Sequence, residues 1–220
     1  MPTGEVHLSR GQYQLIRRLY EKLLEGEVSR SPLPGCVAVV IPGIDLEGPD
    51  FEHMRRLIGW SASVGLRCLL IHLTGEDLGP VQELSGRLVR ELALVEADVE
   101  VVWIGGASST GRGGPRVVVS LGCSGKREVT AAIQAVLRQV EAGGISPDQI
   151  DEAQIERHLR FSERPDLVIR AGGRQLSDFM IWQAAYSELY FTEINWPSVR
   201  KIDFLRAIRD YQKRERRFGR

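Results

Sequence analysis

Neither sign of charge is in excess in this sequence. Its 220 residues carry 29 Lys and Arg against 29 Asp and Glu. Nucleic-acid binders usually show a basic surplus or a basic stripe. The single dense basic run here spans Lys213 to Arg220, so a nucleic-acid partner is not expected. Cysteine is scarce as well. Cys36, Cys68 and Cys123 stand far apart and outside any CxxC spacing. Two of them lie in apolar runs, where a free thiol acts as a small hydrophobe. Three free thiols and a reducing, cytoplasmic setting are therefore expected. No stretch approaches the roughly 18–20 apolar residues that cross a bilayer, and the first thirty residues lack the apolar core of a signal peptide. Any membrane contact would be peripheral. His7, His53, His72 and His158 form no cluster and no HExxH pattern. His72 sits in a strand-like run and reads as a core or edge residue rather than a base. Low-complexity tracts and internal repeats are missing too.

What the sequence does contain is alternation. Residues 1–34 read as a helical arm, with a helix over Tyr13–Leu24 that places Leu15, Ile16, Leu19 and Leu23 on one face. Arg17, Arg18, Glu21 and Lys22 face away. That apolar face should pack on the domain or on a partner; an interfacial membrane helix is the sharper alternative, on a narrow face. Pro32 and Pro34 break the chain before residues 35–220, one domain. Short apolar runs at Val37–Ile41, Arg67–Leu73, Val99–Ile104, Arg116–Leu121, Leu167–Ile169 and Leu189–Phe191 predict strands. Helices are expected at Phe51–Val64, Val81–Val95, Glu128–Glu141, Ser146–Leu159, Ser177–Tyr186 and Asp203–Arg217. Gly65 suits the left-handed position after the first of these. Ser146, Pro147 and Gln149 have the form of a capping box. Repeated β-α alternation predicts an α/β fold with a mostly parallel sheet covered by helices on both faces.

In such a sheet ligands bind beyond the carboxyl ends of the strands. After the first strand, Pro42 supplies neither a metal ligand nor a backbone donor, which leaves Asp45 and Glu47 as weak metal candidates. The Gly- and Ser-rich stretch Gly105–Gly114 lacks the Lys-Ser/Thr ending of a P-loop and runs into a strand, so it reads as a flexible connection. The exit of the Leu167 strand is different. There Arg170, Gly172, Gly173, Arg174 and Ser177 lead into an expected helix. Paired glycines admit close backbone approach, and guanidinium forks grip diphosphate oxygens. Ser177 is either an N-cap or a diphosphate ligand. On physical grounds this is an anion site.

The run Asp166–Gly173, then Leu176-Ser-Asp-Phe179, Trp182–Tyr186, Glu188–Thr192, Trp196-Pro197 and Arg214–Gly219, resembles the C-terminal block of the cis-prenyltransferases. A weaker likeness covers Glu128–Leu159. The resemblance implies that isopentenyl diphosphate adds to an allylic diphosphate with Mg²⁺ assistance. It implies that Arg170 and Ser177 match isopentenyl diphosphate ligands, and Glu188 an acidic residue of the same block. It also implies that Arg217 and Gly219 match an Arg-x-Gly signature which reaches a neighbouring subunit's diphosphate.

The departures from that pattern lie mainly upstream. Where the family has Met-Asp-Gly-Asn-x-Arg, with an Asp that holds Mg²⁺, this chain has Pro42, and Asp45 comes three positions late. The family's Phe-Ser-x-Glu-Asn reads Leu73-Thr-Gly-Glu-Asp77. Its Asn-Tyr-Gly-Gly-Arg reads Gly122-Cys-Ser-Gly-Lys126 with Arg127 following. A helix before that motif is replaced by the Gly/Ser link. The Arg170 loop is one residue short, so that Arg174 stands in an uncertain register. A dismantled metal site beside a kept C-terminal block resembles the accessory, Nogo-B receptor-type subunit of heteromeric cis-prenyltransferases. That resemblance implies a catalytic homologue as partner, isoprenyl diphosphates as substrates, and Mg²⁺ held mainly by the partner. The alternatives are a self-sufficient homodimeric enzyme with the metal moved to Asp45 or Glu47, and a non-enzymatic isoprenoid-binding protein.

Overall fold

A computed structural model describes residues 10–42, 48–75, 81–172 and 178–214. Helix α1 (Arg10–Arg30) leads into β1 (Val37–Pro42), α2 (Gly48–Ser63), β2 (Cys68–Thr74) and α3 (Val81–Leu92). Then follow β3 (Asp98–Trp103), β4 (Gly106–Gly111), β5 (Arg116–Leu121), α4 (Gly125–Glu141) and α5 (Glu152–Glu156). The chain continues through β6 (Leu167–Ala171) and β7 (Glu188–Thr192) to α6 (Lys201–Lys213). The seven strands form one sheet in the order β4-β3-β5-β2-β1-β6-β7. Every pairing is parallel except β3 with β4. This is the expected α/β architecture.

Side-chain alternation along the strands sorts two cores. Val37, Val39 and Ile41 of β1, with Leu69, Ile71 and Leu73 of β2, face the larger one. It is closed by Leu24 and Val28 of α1, Met54 and Ile58 of α2, Leu88 of α3, and Leu205 and Ile208 of α6. Ala38, Val40, Leu70, Val102 and Val118 face the smaller core, closed by Phe161, Phe179 and Met180. Strands apolar on both faces are what a fully covered parallel sheet requires. Gly65, at φ 85°, holds the left-handed position after α2.

Five expectations are corrected. The Gly105–Gly114 link is not a flexible connection, because Gly106–Gly111 forms β4, an antiparallel edge strand in register with β3 from Trp103↔Gly106 to Asp98↔Gly111. A Cβ on Gly106 would lie 2.6 Å from the Trp103 ring, so the glycine admits the indole that covers this strand. The helix expected over Ser146–Leu159 divides into a 3₁₀ turn, Pro147–Gln149, and α5. Gln149 Oε1 accepts from Ser146 N–H at 2.8 Å, as a capping box requires, but Asp151 then caps a new helix through Gln154 N–H. In place of the helix expected over Ser177–Tyr186, the described residues Phe179–Tyr186 are turns. Cys36, just before β1, and Cys68, the first residue of β2, have Cα atoms 4.5 Å apart and are joined by a disulfide. Cys123 is the free cysteine.

The last correction concerns the extent of α1, which runs over Arg10–Arg30 instead of Tyr13–Leu24. It packs on α6, but through Tyr20, Leu24 and Val28. The face made by Leu15, Ile16, Leu19 and Leu23 is left exposed instead of being packed on the domain.

Candidate functional site at the strand carboxyl ends

From β1 the chain steps outward to β2, continues to β3 and the edge strand β4, comes back to β5 between β2 and β3, and then crosses to the other side of β1 as β6 and β7. The boundary between β1 and β6 is therefore the switch point where open parallel sheets bind ligands. In-register pairing sets a row across the sheet there. Ser120 of β5 is opposite His72 of β2, His72 opposite Val40 of β1, and Val40 opposite Arg170 of β6. All four lie on the smaller-core face, so a polar row is set into an apolar surface.

His72 is 3% exposed. Its Nδ1 is 3.2 Å from Ser120 Oγ, and its ring stacks on Phe179 with centroids 3.9 Å apart. Burial pushes its pKa down to about 3, aided by the Arg170 charge and opposed by Asp178. The imidazole is therefore neutral near pH 7 and acts as a core group, as the strand pattern suggested.

Arg170 has no such satisfaction. Its Nε and Nη1 are buried and find no hydrogen-bond partner among the described residues. Burial lowers its pKa, yet a guanidinium keeps its charge in proteins. Donors buried without an acceptor carry a free-energy cost, even in a side chain that is only half-buried as a whole. An anion that accepts from both nitrogens would remove that cost. Arg174 and Ser177, the companions expected from the sequence, lie outside the described residues, as do Asp45, Glu47, Arg217 and Gly219.

The segment after this loop is fixed by contacts that the sequence reading missed. Gly125 N–H donates to the Asp178 carbonyl at 2.7 Å, and Ser124 Oγ donates to the Asp178 carboxylate at 2.5 Å. A Cβ at Gly125 would come within 2.1 Å of the Asp178 carbonyl, so only glycine allows the approach. Glu128 Oε1 accepts from Arg160 N–H at 2.7 Å, Phe161 N–H at 3.0 Å and Gln183 Nε2 at 3.2 Å. Gln183 Nε2 also donates to the Phe161 carbonyl, and Trp182 Nε1 to Glu156. Trp182 and Gln183, quoted above only for resemblance, thus brace the turns that carry Phe179 to His72. Met180, fully buried at φ 49°, is the described non-glycine residue held in the left-handed region.

Glu188 is not near Arg170. It opens β7 opposite Leu167, whereas Arg170 is opposite Phe191. Three residues of strand separate the two levels, about 10 Å. Glu188 Oε2 accepts from Arg214 Nη1 at 2.9 Å, and the same guanidinium binds the Leu189 carbonyl and Asp210. Among the described residues no group of three His, Cys, Asp or Glu could hold a metal ion. Pro42 ends β1 opposite Thr74. The described part of the site does not by itself fit Mg²⁺.

A mostly parallel sheet covered by helices on both faces, with two Arg170 nitrogens at its switch point that find no partner among the described residues, defines the α/β class of this protein. Residues 87–219 match the family model described as putative undecaprenyl diphosphate synthase. The chain is 32% identical over 249 aligned positions to an isoprenyl transferase of Thermus thermophilus, covering 92% of this chain and 95% of that one. It is 33% identical over 244 positions to a (2Z,6E)-farnesyl diphosphate synthase of Thermobifida fusca, covering 92% and 96%. Its fold is similar to lavandulyl diphosphate synthase from Lavandula x intermedia, with a TM-score of 0.70 at 22% identity over 88% of this chain and all of that one. This chain belongs to the cis-prenyltransferase family. A 249-position alignment cannot fit within 92% of 220 residues without gaps, so the Thermus relative has segments that this chain lacks. These relatives carry the names of synthases and transferases, and the accessory-subunit resemblance finds no support among them.

Proposed function

We propose that this chain is itself a prenyl diphosphate synthase, which joins isopentenyl diphosphate to an allylic diphosphate with cis geometry. The observation that carries the reading is Arg170 at the β1/β6 switch point, whose buried Nε and Nη1 find no partner among the described residues. Arg170 would take two oxygens of the isopentenyl diphosphate through parallel bonds. Arg174 and Ser177 complete the grip, and Arg217 and Gly219 arrive from a second copy. Neutral His72, stacked on Phe179, walls the site without offering a proton. A bound Mg²⁺ would neutralise the departing diphosphate, and the reading assigns Asp45 or Glu47 as its donors in this chain.

Pro42, where the family pattern has the metal-binding Asp, favours the second reading, a subunit that works only beside a catalytic homologue. One assay separates them. Radiolabelled isopentenyl diphosphate is supplied with an allylic diphosphate and Mg²⁺, to the pure chain and to the chain co-expressed with a homologue that keeps Asp-Gly-Asn. Product from the pure chain, lost in Asp45→Ala or Glu47→Ala, supports the self-sufficient enzyme. Product only from the mixture overturns it in favour of the accessory role.

A further inference from the structure

Helix α1 is apolar on two sides, and the fold uses one. Tyr20, Leu24 and Val28 face α6 and the larger core. On the other side Leu15, Ile16, Leu19 and Leu23 are between 51% and 69% exposed. Their 3- and 4-residue spacings make a continuous stripe about two and a half turns long. Four large apolar side chains in one exposed stripe need an occupant.

The charges around the stripe identify it. All three acids of α1 are paired with cations: Glu21 with Arg17 of the same helix, Glu25 with Lys201 at 2.7 Å, and the exposed Glu27 with Arg209 at 3.7 Å. Arg18 and Lys22 are exposed along one flank of the stripe and make no ion pair among the described residues. The free face of the helix is therefore apolar and cationic. A second copy of this chain is the poorer occupant. Four side chains fall well short of the roughly 800 Å² that each partner commits to a standard interface, and like charges would be brought together. An anionic bilayer accepts both features, since shallow insertion buries the leucines while basic side chains meet the headgroups. No helix among the described residues is long and apolar enough to cross a membrane, so the contact lies in the interface plane.

We infer that α1 is a peripheral membrane-docking helix, which seats Leu15, Ile16, Leu19 and Leu23 in an anionic lipid surface with Arg18 and Lys22 at the headgroups. The inference rests on the stripe, and the proposed reaction adds only that the product is itself amphipathic.

The full chain is tested by co-sedimentation with vesicles of phosphatidylglycerol and phosphatidylcholine, and with phosphatidylcholine alone. Binding to the anionic vesicles is expected to fall at least tenfold on uncharged vesicles, in 0.5 M salt, in Leu19→Gln/Leu23→Gln and in Arg18→Gln/Lys22→Gln. Circular dichroism and the thermal midpoint confirm that each variant is folded. Wild-type protein that stays in the supernatant, or variants that bind as well as wild type, overturn the inference. A smaller molar mass in light scattering for Leu19→Gln/Leu23→Gln, without vesicle binding by wild type, also overturns it and assigns the stripe to a second copy. Incorporation of isopentenyl diphosphate in lipid-free detergent is expected to be unchanged in all variants, so failure here leaves the proposed enzyme activity standing.

Discussion

Arg170 and His72 stand in one register row, and burial disfavours the charged form of both, with different outcomes. The imidazole escapes the cost by staying neutral, whereas the guanidinium cannot, so its unmade bonds remain available to a ligand. Arg170→Lys keeps the charge but loses the fork. Steady-state kinetics should show kcat/KM for isopentenyl diphosphate reduced by about a hundredfold, in line with the two to three kcal/mol of a charge-assisted contact. A lysine variant with wild-type kinetics would remove Arg170 from the site. For His72 the expected effect is on stability. Its folded pKa, about 3, lies below the ordinary value of 6.5. The unfolded chain therefore binds the extra proton first, and stability is full above pH 6.5 and declines as pH falls towards 3. His53, also pushed down by burial, acts in the same direction. Urea unfolding at pH 7.5 and pH 5 should show a loss on acidification that His72→Gln reduces but does not abolish. An equal loss in both proteins would contradict the assignment.

Among the elements, Phe179–Tyr186 shows how far the sequence could be read. The strands were legible because they are continuous apolar runs bounded by breakers, and Arg116–Leu121 falls where the pattern put it. The turn segment was not. Its composition suits a helix, but the acceptors that hold it, the Glu128 carboxylate and the Glu156 carboxylate, are far away in sequence. Nor could β4 be read, since Gly and Ser carry little strand propensity and its pairing depends on Trp103 filling the space above Gly106. At the site, Arg170 was legible from its place after a strand, while Ser120, Ser124 and Glu128 gave no local signal. Glu128 supplies a direct check. Glu128→Ala removes the acceptor of both amides; the exposed Arg160 N–H can turn to water, whereas the part-buried Phe161 N–H is orphaned at a cost of about 1–3 kcal/mol. Glu128→Gln keeps an acceptor and should recover part of it. Chemical denaturation of the two variants should rank alanine well below glutamine; equal stabilities would show that the carboxylate does not brace the segment.

For the whole molecule, the question is whether one chain contains a complete site. Arg170 lies at the level of Phe191, near the carboxyl end of β7. The Arg214–Glu188 pair, from which the chain leads on to Arg217 and Gly219, lies at the amino end of β7. If two copies exchange tails, each site takes Asp45 from one chain and Arg217 from the other. Asp45→Ala and Arg217→Ala should then each be inactive alone. When the two are unfolded together and refolded, half of the randomly paired dimers combine one of each. Such a dimer has one site with both lesions and one with neither, so activity should return to about a quarter of wild type. Recovery at that level would establish shared sites within a homodimer. No recovery, with the mixed dimer demonstrated by differential tagging, would mean that Asp45 and Arg217 serve the same site from one chain or that this chain depends on a different partner.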